Sequence, residues 1–183
     1  MLHFIFDLDY TLYQNDNITG EFSYNDIKEN TYLNTLLGKI TYNKIIFTNA
    51  TFHHAIKCLD IMKIRHHFPD NKIVARDTMN DFKPSESSFM KCMENQGIGY
   101  NPLNFILKKN TNVIFFEDTK QNLIQSKKYN WVTIYIGKDD VSDEPTINRA
   151  FPTIEKSLEF IIEKNKNIIN RHQPVPRYQM GRN

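Results

Sequence analysis

The stretch LHFIFDLDYTL, residues 2–12, contains a short apolar run followed by two carboxylates that one residue separates. The run 2–6 has the length and composition of a buried β-strand, so Asp7 and Asp9 would follow its C-terminal end. In open α/β sheets ligands bind at this edge, and residues two apart on an extended chain share a face. Two like charges so close are unfavourable unless a cation lies between them or one carries a proton, and Mg²⁺ prefers oxygen ligands. The stretch therefore indicates metal-assisted chemistry, although the pair alone could also cap a turn or lie in a solvated loop.

Four short segments in a fixed order carry a resemblance to a known family. The first contains Asp7, Asp9 and Thr11 in the pattern DxDxT. The others are Thr48-Asn49-Ala50 after the apolar run 44–47, Lys83-Pro84 before a helix-like segment, and Glu117-Asp118 after the strand-like run 112–116. Over roughly residues 2–165 the chain thereby resembles the haloacid dehalogenase-like (HAD) superfamily of aspartate-nucleophile phosphohydrolases. In motif detail it is most similar to the pyrimidine 5′-nucleotidase branch.

The resemblance implies a role for each aspartate of the first motif. Asp7 would attack phosphorus and form an aspartyl-phosphate, which is a recognised form of covalent catalysis. Asp9 would protonate the leaving oxygen and then deprotonate the attacking water. Mg²⁺ would be held by the Asp7 carboxylate, the Asp9 main-chain carbonyl and Asp118. The implied cofactor is Mg²⁺, with Mn²⁺ and Co²⁺ left open because oxygen ligands accept all three.

The second and third motifs imply contacts to the phosphate. Thr48 would donate its hydroxyl to the phosphate, assisted by the main-chain N–H of Asn49 near a helix N-terminus. Lys83 would balance the negative charge of Asp7 and of the phosphate. Without the motif order, the threonine would be interpreted as a helix cap and the lysine as a surface residue.

The fourth motif departs from the pair of aspartates that is common in this branch. Asp118 matches the direct metal ligand of the family. Glu117 is one methylene longer than aspartate, and we expect it behind the metal or in contact with it through water. Asn122, one helical turn further on, is a second candidate for this outer position.

Strand-like and helix-like segments alternate along the chain, which favours a parallel sheet. The predicted strands are mostly apolar on both faces, as a sheet covered by helices requires. They lie near 2–6, 44–48, 72–75, 112–116 and 131–136. The predicted helices lie near 26–38, 51–63, 85–96, 102–109, 119–128 and 153–169. The predicted fold class is α/β, a Rossmann-like three-layer sandwich with a central parallel sheet of about five strands.

The chain is long enough for one catalytic domain, residues 1–170, followed by a basic tail, residues 171–183. Members of the superfamily with a cap after the first motif place a helical domain there, but this chain offers only 14–43. This interval would supply a flap and a linking helix, because an independent domain usually needs ~50 residues or more. We therefore expect a minimal cap. This weakens the assignment to the nucleotidase branch, whose members carry a larger one.

Several aromatic side chains would lie near the flap: Tyr10, Tyr13, Phe22 and Tyr24. An aromatic ring over the site could stack on a nucleobase, or it could pack the flap down, and both interpretations stay open. Two adjacent histidine pairs, His53-His54 and His66-His67, have no carboxylate at the spacing of a metal motif. We expect them at the surface or at helix ends.

Composition and charge bound the compartment and the partners. No apolar run approaches the ~20 residues of a membrane span, and the N-terminal run lacks the basic lead of a signal peptide. Cys58 and Cys92 have no partner at metal-site spacing, so we expect buried thiols and a cytoplasmic protein. Residues 164–183 hold five basic and no acidic residues, against 18 basic and 21 acidic residues before them. Such a tail could contact nucleic acid, but a solvated terminus is favoured.

The combined expectation is a Mg²⁺-dependent phosphomonoester hydrolase without a membrane partner. A nucleoside monophosphate fits the branch resemblance, whereas a phosphoprotein or a nucleic-acid end fits the missing cap. A second subunit of a homo-oligomer could also cover the site. A non-catalytic binding protein that retains the fold is the alternative class, since fold does not imply function.

Overall fold

Six parallel strands form one sheet in the order β3-β2-β1-β4-β5-β6. The computed structural model describes residues 1–14 and 22–171, with side chains up to residue 164. The strands are β1 (Leu2–Phe6), β2 (Asn43–Phe47), β3 (Ile73–Val74), β4 (Asn112–Glu117), β5 (Val132–Ile136) and β6 (Arg149–Phe151). Doubly wound α/β domains with this order bind ligands at the carboxyl edge, where the strand order reverses. That point lies between β1 and β4.

Within the described residues, five α-helices cover the two faces of the sheet. They are α1 (Thr31–Gly38), α2 (Phe52–Ile61), α3 (Glu86–Asn95), α4 (Lys120–Lys127) and α5 (Ile154–Arg171). One apolar core joins α1, α2 and α5 to the sheet, and a second core joins α3 and α4 to its opposite face. In β1, Phe4 and Phe6 enter the first core and Ile5 enters the second, as the alternation of a strand requires. The predicted three-layer sandwich is confirmed.

The sheet has one strand more than the sequence predicts. The five predicted strands are all present, each within two residues of its predicted bounds. β6 pairs in parallel with β5 at the edge of the sheet. It has only three residues and is followed by Pro152, so it is too short to show a period of two.

The predicted helix over 102–109 is wrong. The side chain of Asn101 accepts a hydrogen bond from the main-chain N–H of Leu103 at 3.0 Å. Phe105 has a φ of 58°, in the left-handed region that a right-handed helix excludes. Asparagine side chains offer the backbone an alternative to helical hydrogen bonds, and here that alternative produces a turn.

The predicted helix over 26–38 is wrong in its first part. A 3₁₀ turn covers Tyr24–Asp26, and α1 begins only after Asn30. The side chain of Asn30 accepts a hydrogen bond from the main-chain N–H of Leu33 at 2.8 Å. Asparagine is a preferred N-cap residue, and it marks the start of α1 at this position.

Two predicted segments fall partly outside the described residues. The flap includes 15–21, and the tail includes 172–183. The assignment of 1–170 to a single domain stays a prediction. Cys58 and Cys92 are buried free thiols, as predicted. Among the described residues, no helix combines the length and the apolarity that crossing a bilayer requires.

Candidate active site

The first aspartate lies at the carboxyl edge between β1 and β4. The register of these strands pairs Phe6 with Phe116. The main-chain N–H of Asp7 donates to the Phe116 carbonyl at 2.9 Å, which extends the ladder one residue past β1. β4 itself ends at Glu117. The pairing of two strands therefore brings Asp7 and Glu117 to the same edge of the sheet.

Lys83 joins these two carboxylates. Its Nζ donates to Asp7 Oδ1 and to Glu117 Oε2, both at 2.7 Å, and all three side chains are buried. Asn49 holds the lysine backbone: its Nδ2 donates to the Lys83 carbonyl at 3.0 Å, and its Oδ1 accepts from the Lys83 N–H at 2.8 Å. The sequence predicts a role for the main chain of Asn49. Its side chain has a second role, which is to fix the loop that carries Lys83.

Glu117 accepts hydrogen bonds on both carboxylate oxygens. Oε2 accepts from Lys83 and also from Asn122 Nδ2, the latter at 2.9 Å. Oε1 accepts from the main-chain N–H groups of Asp118 at 3.2 Å and of Thr119 at 3.1 Å. These bonds fit the expected place of Glu117 behind a metal. We call four residues the lysine–carboxylate cluster: Asp7, Lys83, Glu117 and Asp118.

The cluster has more negative than positive charge. Asp7, Glu117 and Asp118 each offer an oxygen, and these oxygens lie within 4.8 Å of one another. Among the described residues, Lys83 is the only cation that forms an ion pair with any of these three carboxylates, and it pairs with Asp7 and Glu117. Burial and the charge of Glu117 raise the pKa of Asp7 to about 7, although Lys83 opposes the shift. Burial and the contacts with Glu117 raise the pKa of Asp118 to about 8.

These properties fit a Mg²⁺ ion. Oxygen ligands suit a hard cation, and a positive ion would favour the charged form of each carboxylate. Asn122 adds an independent observation, because its Oδ1 is buried and accepts no hydrogen bond from any described residue. Buried polar atoms normally have a partner, and a water molecule on a bound metal would provide one. The hydroxyl of Thr11 also reaches Asp118 Oδ1, at 3.4 Å.

The second aspartate is held by side chains from two other segments. His54 Nε2 lies 2.8 Å from Asp9 Oδ1, and the Tyr13 hydroxyl donates to the same oxygen. The Tyr24 hydroxyl lies 3.0 Å from His54 Nδ1. These side chains are only partly buried, with 30% of Asp9 and 18% of His54 exposed. We call four residues the Asp9 network: Asp9, Tyr13, Tyr24 and His54.

His53 and His54 lie in the first turn of α2, a helix end as predicted, but the contact of His54 with Asp9 was not predicted. The side chain of Thr51 accepts a hydrogen bond from the His54 main-chain N–H at 3.3 Å and starts α2 beside the carboxyl edge. This leaves His53 exposed and brings His54 to Asp9. A metal motif such as HExxH joins residues a few positions apart, whereas this contact spans 45 residues. A histidine one turn after a strand-end motif was the available signal.

The contacts in the Asp9 network favour an ion pair between the Asp9 carboxylate and a protonated His54. Burial raises the pKa of Asp9, but the hydrogen bonds from His54 and Tyr13 outweigh burial, and the net shift is downward. The hydrogen bonds to Asp9 and then to Cys58 raise the pKa of His54 to about 10. Asp9 is therefore a carboxylate before substrate binds. An arriving phosphate would raise its pKa, because a nearby like charge disfavours the charged form.

The eight residues that the sequence proposes for the site all line one cleft of about 160 Å³. They are Asp7, Asp9, Thr48, Asn49, Lys83, Glu117, Asp118 and Asn122. Thr48 Oγ1 accepts from the Ala50 N–H at 3.0 Å, which leaves the hydroxyl proton available. The Asn49 N–H donates to no described residue. Both groups can therefore donate to an anion in the cleft.

The aromatic side chains divide into two groups. Tyr10 is 47% exposed and lines the cleft. Phe22 packs edge-on against Tyr24, with ring centroids 4.9 Å apart, and its centroid lies 5.0 Å from that of His54. These contacts favour packing against α2 for Phe22 and Tyr24, while Tyr10 faces the cleft.

The sequence matches no protein-family model and no curated protein. The structure is similar to that of a candidate β-phosphoglucomutase from Thermotoga maritima, with 15% identity and a TM-score of 0.63 over 89% of this chain and 99% of that one. A hydrolase of the haloacid dehalogenase-like family from Streptococcus pneumoniae is 12% identical, with a TM-score of 0.59 over 87% of this chain and 97% of that one.

Two larger proteins are similar over part of their length. A β-phosphoglucomutase from Clostridium difficile is 19% identical, with a TM-score of 0.54 over 80% of this chain. This chain spans 60% of that mutase and 53% of a similar dehalogenase. At such identities the likeness shows the fold alone. The chain has the α/β fold of haloacid dehalogenase-like hydrolases.

Proposed function

We propose that this protein is a Mg²⁺-dependent phosphomonoester hydrolase that acts through an aspartyl-phosphate. The observation that carries the proposal is the position of Asp7: a buried carboxylate, held by Lys83, within 4.8 Å of two further carboxylates at the carboxyl edge. Lys83 binds Oδ1 of Asp7, and no described residue donates to Oδ2. That second oxygen is available to attack phosphorus.

The proposed reaction has two steps. As the phosphate arrives and raises the pKa of Asp9, this carboxylate takes up a proton from solvent. In the first step, Asp7 then bonds to phosphorus while the bond from phosphorus to the leaving oxygen breaks, and Asp9 gives that oxygen its proton. In the second, Asp9 takes a proton from water, the water oxygen bonds to phosphorus, and Asp7 is released with inorganic phosphate. Thr48 and the main-chain N–H of Asn49 would hold the phosphate oxygens.

The Asp7 carboxylate, the Asp9 main-chain carbonyl and Asp118 would hold Mg²⁺. The bound ion supplies positive charge that offsets repulsion between the nucleophile and an anionic phosphate. Glu117 would keep Lys83 in place and orient the main chain of Asp118. Lys83 balances charge in this arrangement, because its ammonium already binds two carboxylates.

The size of the cleft bears on the substrate. A volume of about 160 Å³ is below the ~300–1,000 Å³ of pockets that enclose drug-sized ligands. Formed from the described residues, it would take a phosphoryl group and leave the rest of the substrate outside. A nucleoside monophosphate is the proposed small substrate, in line with the resemblance to the nucleotidase branch. A phosphoprotein or a nucleic-acid end is the alternative, since an open site admits a large substrate.

The test is phosphate release with Mg²⁺ from nucleoside monophosphates, sugar phosphates, a phosphopeptide and a 3′-phosphorylated oligonucleotide. We expect Asp7→Asn to lose at least about 10³-fold in kcat because it removes the nucleophile. Asp60→Asn, at an exposed position of α2, is the matched control and should keep full activity. If wild type and Asp7→Asn release phosphate equally slowly from every compound, this chain alone is not a phosphohydrolase, and the alternatives are a site that a partner covers or a binding protein that retains the fold.

A further inference from the structure

Asp9 presents its two carboxylate oxygens differently. Oδ1 faces both His54 Nε2 and the Tyr13 hydroxyl. No described residue donates to Oδ2. The two donors on Oδ1 fix the rotation of the Asp9 carboxylate. The lone pairs of Oδ2 therefore point in a fixed direction, along which a proton can be given or taken. Proton transfer in catalysis depends first on such geometry.

His54 is itself held in one orientation. Its Nε2 faces Asp9, and its Nδ1 lies 3.0 Å from the Tyr24 hydroxyl, so both ring nitrogens have a partner. The imidazole also packs beside Tyr24, at a centroid distance of 5.5 Å. Lys57 Nζ lies 3.7 Å from the centroid of the Tyr24 ring. The histidine therefore links Asp9 to Tyr24 and, through its ring, to Phe22.

We propose that His54 is a positioning residue for Asp9, which it holds so that Oδ2 meets the leaving oxygen of the substrate. Tyr24 supports this role by orienting the imidazole. The inference rests on the proposed phosphohydrolase function and assigns a residue that the motifs of the sequence leave out. His54 does not touch the substrate in this scheme, and it acts through Asp9.

A leaving-group comparison separates positioning from packing. An alkoxide is a poor leaving group and needs a proton from Asp9 as the bond to phosphorus breaks. The p-nitrophenolate of p-nitrophenyl phosphate leaves readily without one. For both compounds, kcat/KM reports formation of the aspartyl-phosphate and kcat includes its hydrolysis, where Asp9 serves as the base. A displaced Asp9 should therefore lower kcat/KM for the alkyl ester alone and kcat for both esters.

The experiment measures both constants for glycerol phosphate and p-nitrophenyl phosphate with Mg²⁺. We expect His54→Leu to lower kcat/KM for glycerol phosphate by about 10²-fold, the lower range of general acid–base effects. For p-nitrophenyl phosphate, kcat/KM should change less than about threefold, while kcat falls and a burst of p-nitrophenolate develops. His54→Gln, which keeps an amide donor near the Nε2 position, should recover much of the loss. Tyr24→Phe should show the same pattern more weakly.

His53→Leu is the matched control, because His53 is the exposed neighbour on the same helix and should keep wild-type constants. Equal losses of kcat/KM for both esters in His54→Leu, or no loss of kcat/KM for either, would overturn the positioning role. A second readout does not need activity: the imidazole N–H of His54 should give an exchange-protected proton resonance that Asp9→Ala removes. Absence of that resonance overturns the proposal directly. If the resonance is present but wild type is no faster than Asp7→Asn, the proposed function fails and the positioning role fails with it.

Discussion

The lysine–carboxylate cluster and the Asp9 network lie at the same edge of the sheet, but they are held in different ways. In the cluster Asp7, Lys83 and Glu117 are buried and Asp118 is partly buried, and main-chain N–H groups hold the Glu117 carboxylate. The Asp9 network is partly exposed and consists of one carboxylate among aromatic side chains. Buried charges are costly to leave unpaired, whereas partly exposed groups are screened by water. Substitutions in the cluster should therefore alter both stability and activity, and those in the Asp9 network should alter mainly rate.

The largest effect is expected for Lys83→Met. It leaves the buried carboxylates of Asp7 and Glu117 without their cation, which should cost about 3–5 kcal/mol of unfolding free energy at pH 8. The cost should shrink at pH 5, because the raised pKa of Asp7 places a proton on that carboxyl. Chemical denaturation at the two pH values measures both quantities. Lys109→Met, at an exposed lysine, should stay within about 0.5 kcal/mol of wild type.

A matched pair of substitutions tests the division of roles within the cluster. Glu117→Gln should cost about 1–3 kcal/mol of stability, because its amide N–H groups would face Lys83 or main-chain donors. Asp118→Asn should cost little stability but weaken Mg²⁺ binding by about tenfold or more, because it removes a ligand charge. Denaturation and titration calorimetry give the two values. The reverse pattern would assign the direct metal contact to Glu117.

Stability without metal should fall as pH rises from about 4 to about 8. The pKa values of Asp7 and Asp118 are raised to about 7 and about 8, so the folded protein binds more protons than the unfolded chain in this window. The neutral forms of Asp7 and Asp118 make their whole contribution to the unfolding free energy near pH 4. That contribution is lost as pH rises through the raised pKa values. Added Mg²⁺ should raise Tm more at pH 8.5 than at pH 5.5. Each kcal/mol that Mg²⁺ adds to the unfolding free energy should raise Tm by about 2–4 °C.

The control for this pH experiment is Asp118→Asn. It should reduce the difference in the Mg²⁺-induced Tm shift between the two pH values. An equal Tm shift at both pH values in wild type would mean that Mg²⁺ does not compete with protons at the cluster.

The smallest effect belongs to Phe22, beside the Asp9 network. Phe22→Leu should lower stability by about 0.5–1 kcal/mol through loss of ring contacts with Tyr24 and His54. We expect kcat/KM for all active substrates to change by similar factors. A loss confined to nucleoside monophosphates would instead show that this ring stacks on the base.

The difference between the two regions also explains what sequence reasoning predicted. Asp7, Glu117 and Asp118 lie at the ends of β1 and β4, and strand ends share an edge in a parallel sheet, so their meeting follows from local patterns. Lys83 lies in a loop, and only the order of the motifs predicted its place in the site. β6 was missed because three residues are too few to show the alternation of a strand. The segment 102–109 forms a turn and not a helix because the Asn101 side chain accepts a hydrogen bond from the Leu103 N–H. Fold class and layer order were predictable because apolar strands and amphipathic helices are long repeated signals.

The sequence by itself predicted the α/β class, the carboxyl edge as the place of the candidate site and eight of the ten residues that line the cleft. Only the tertiary structure decided how those residues are held. The hydrogen bond from the Asn49 side chain to the Lys83 backbone joins residues 34 positions apart. The contact of His54 with Asp9 joins residues 45 positions apart. Such contacts depend on where helices and loops pack over the sheet, and no periodicity or spacing in the chain encodes that placement.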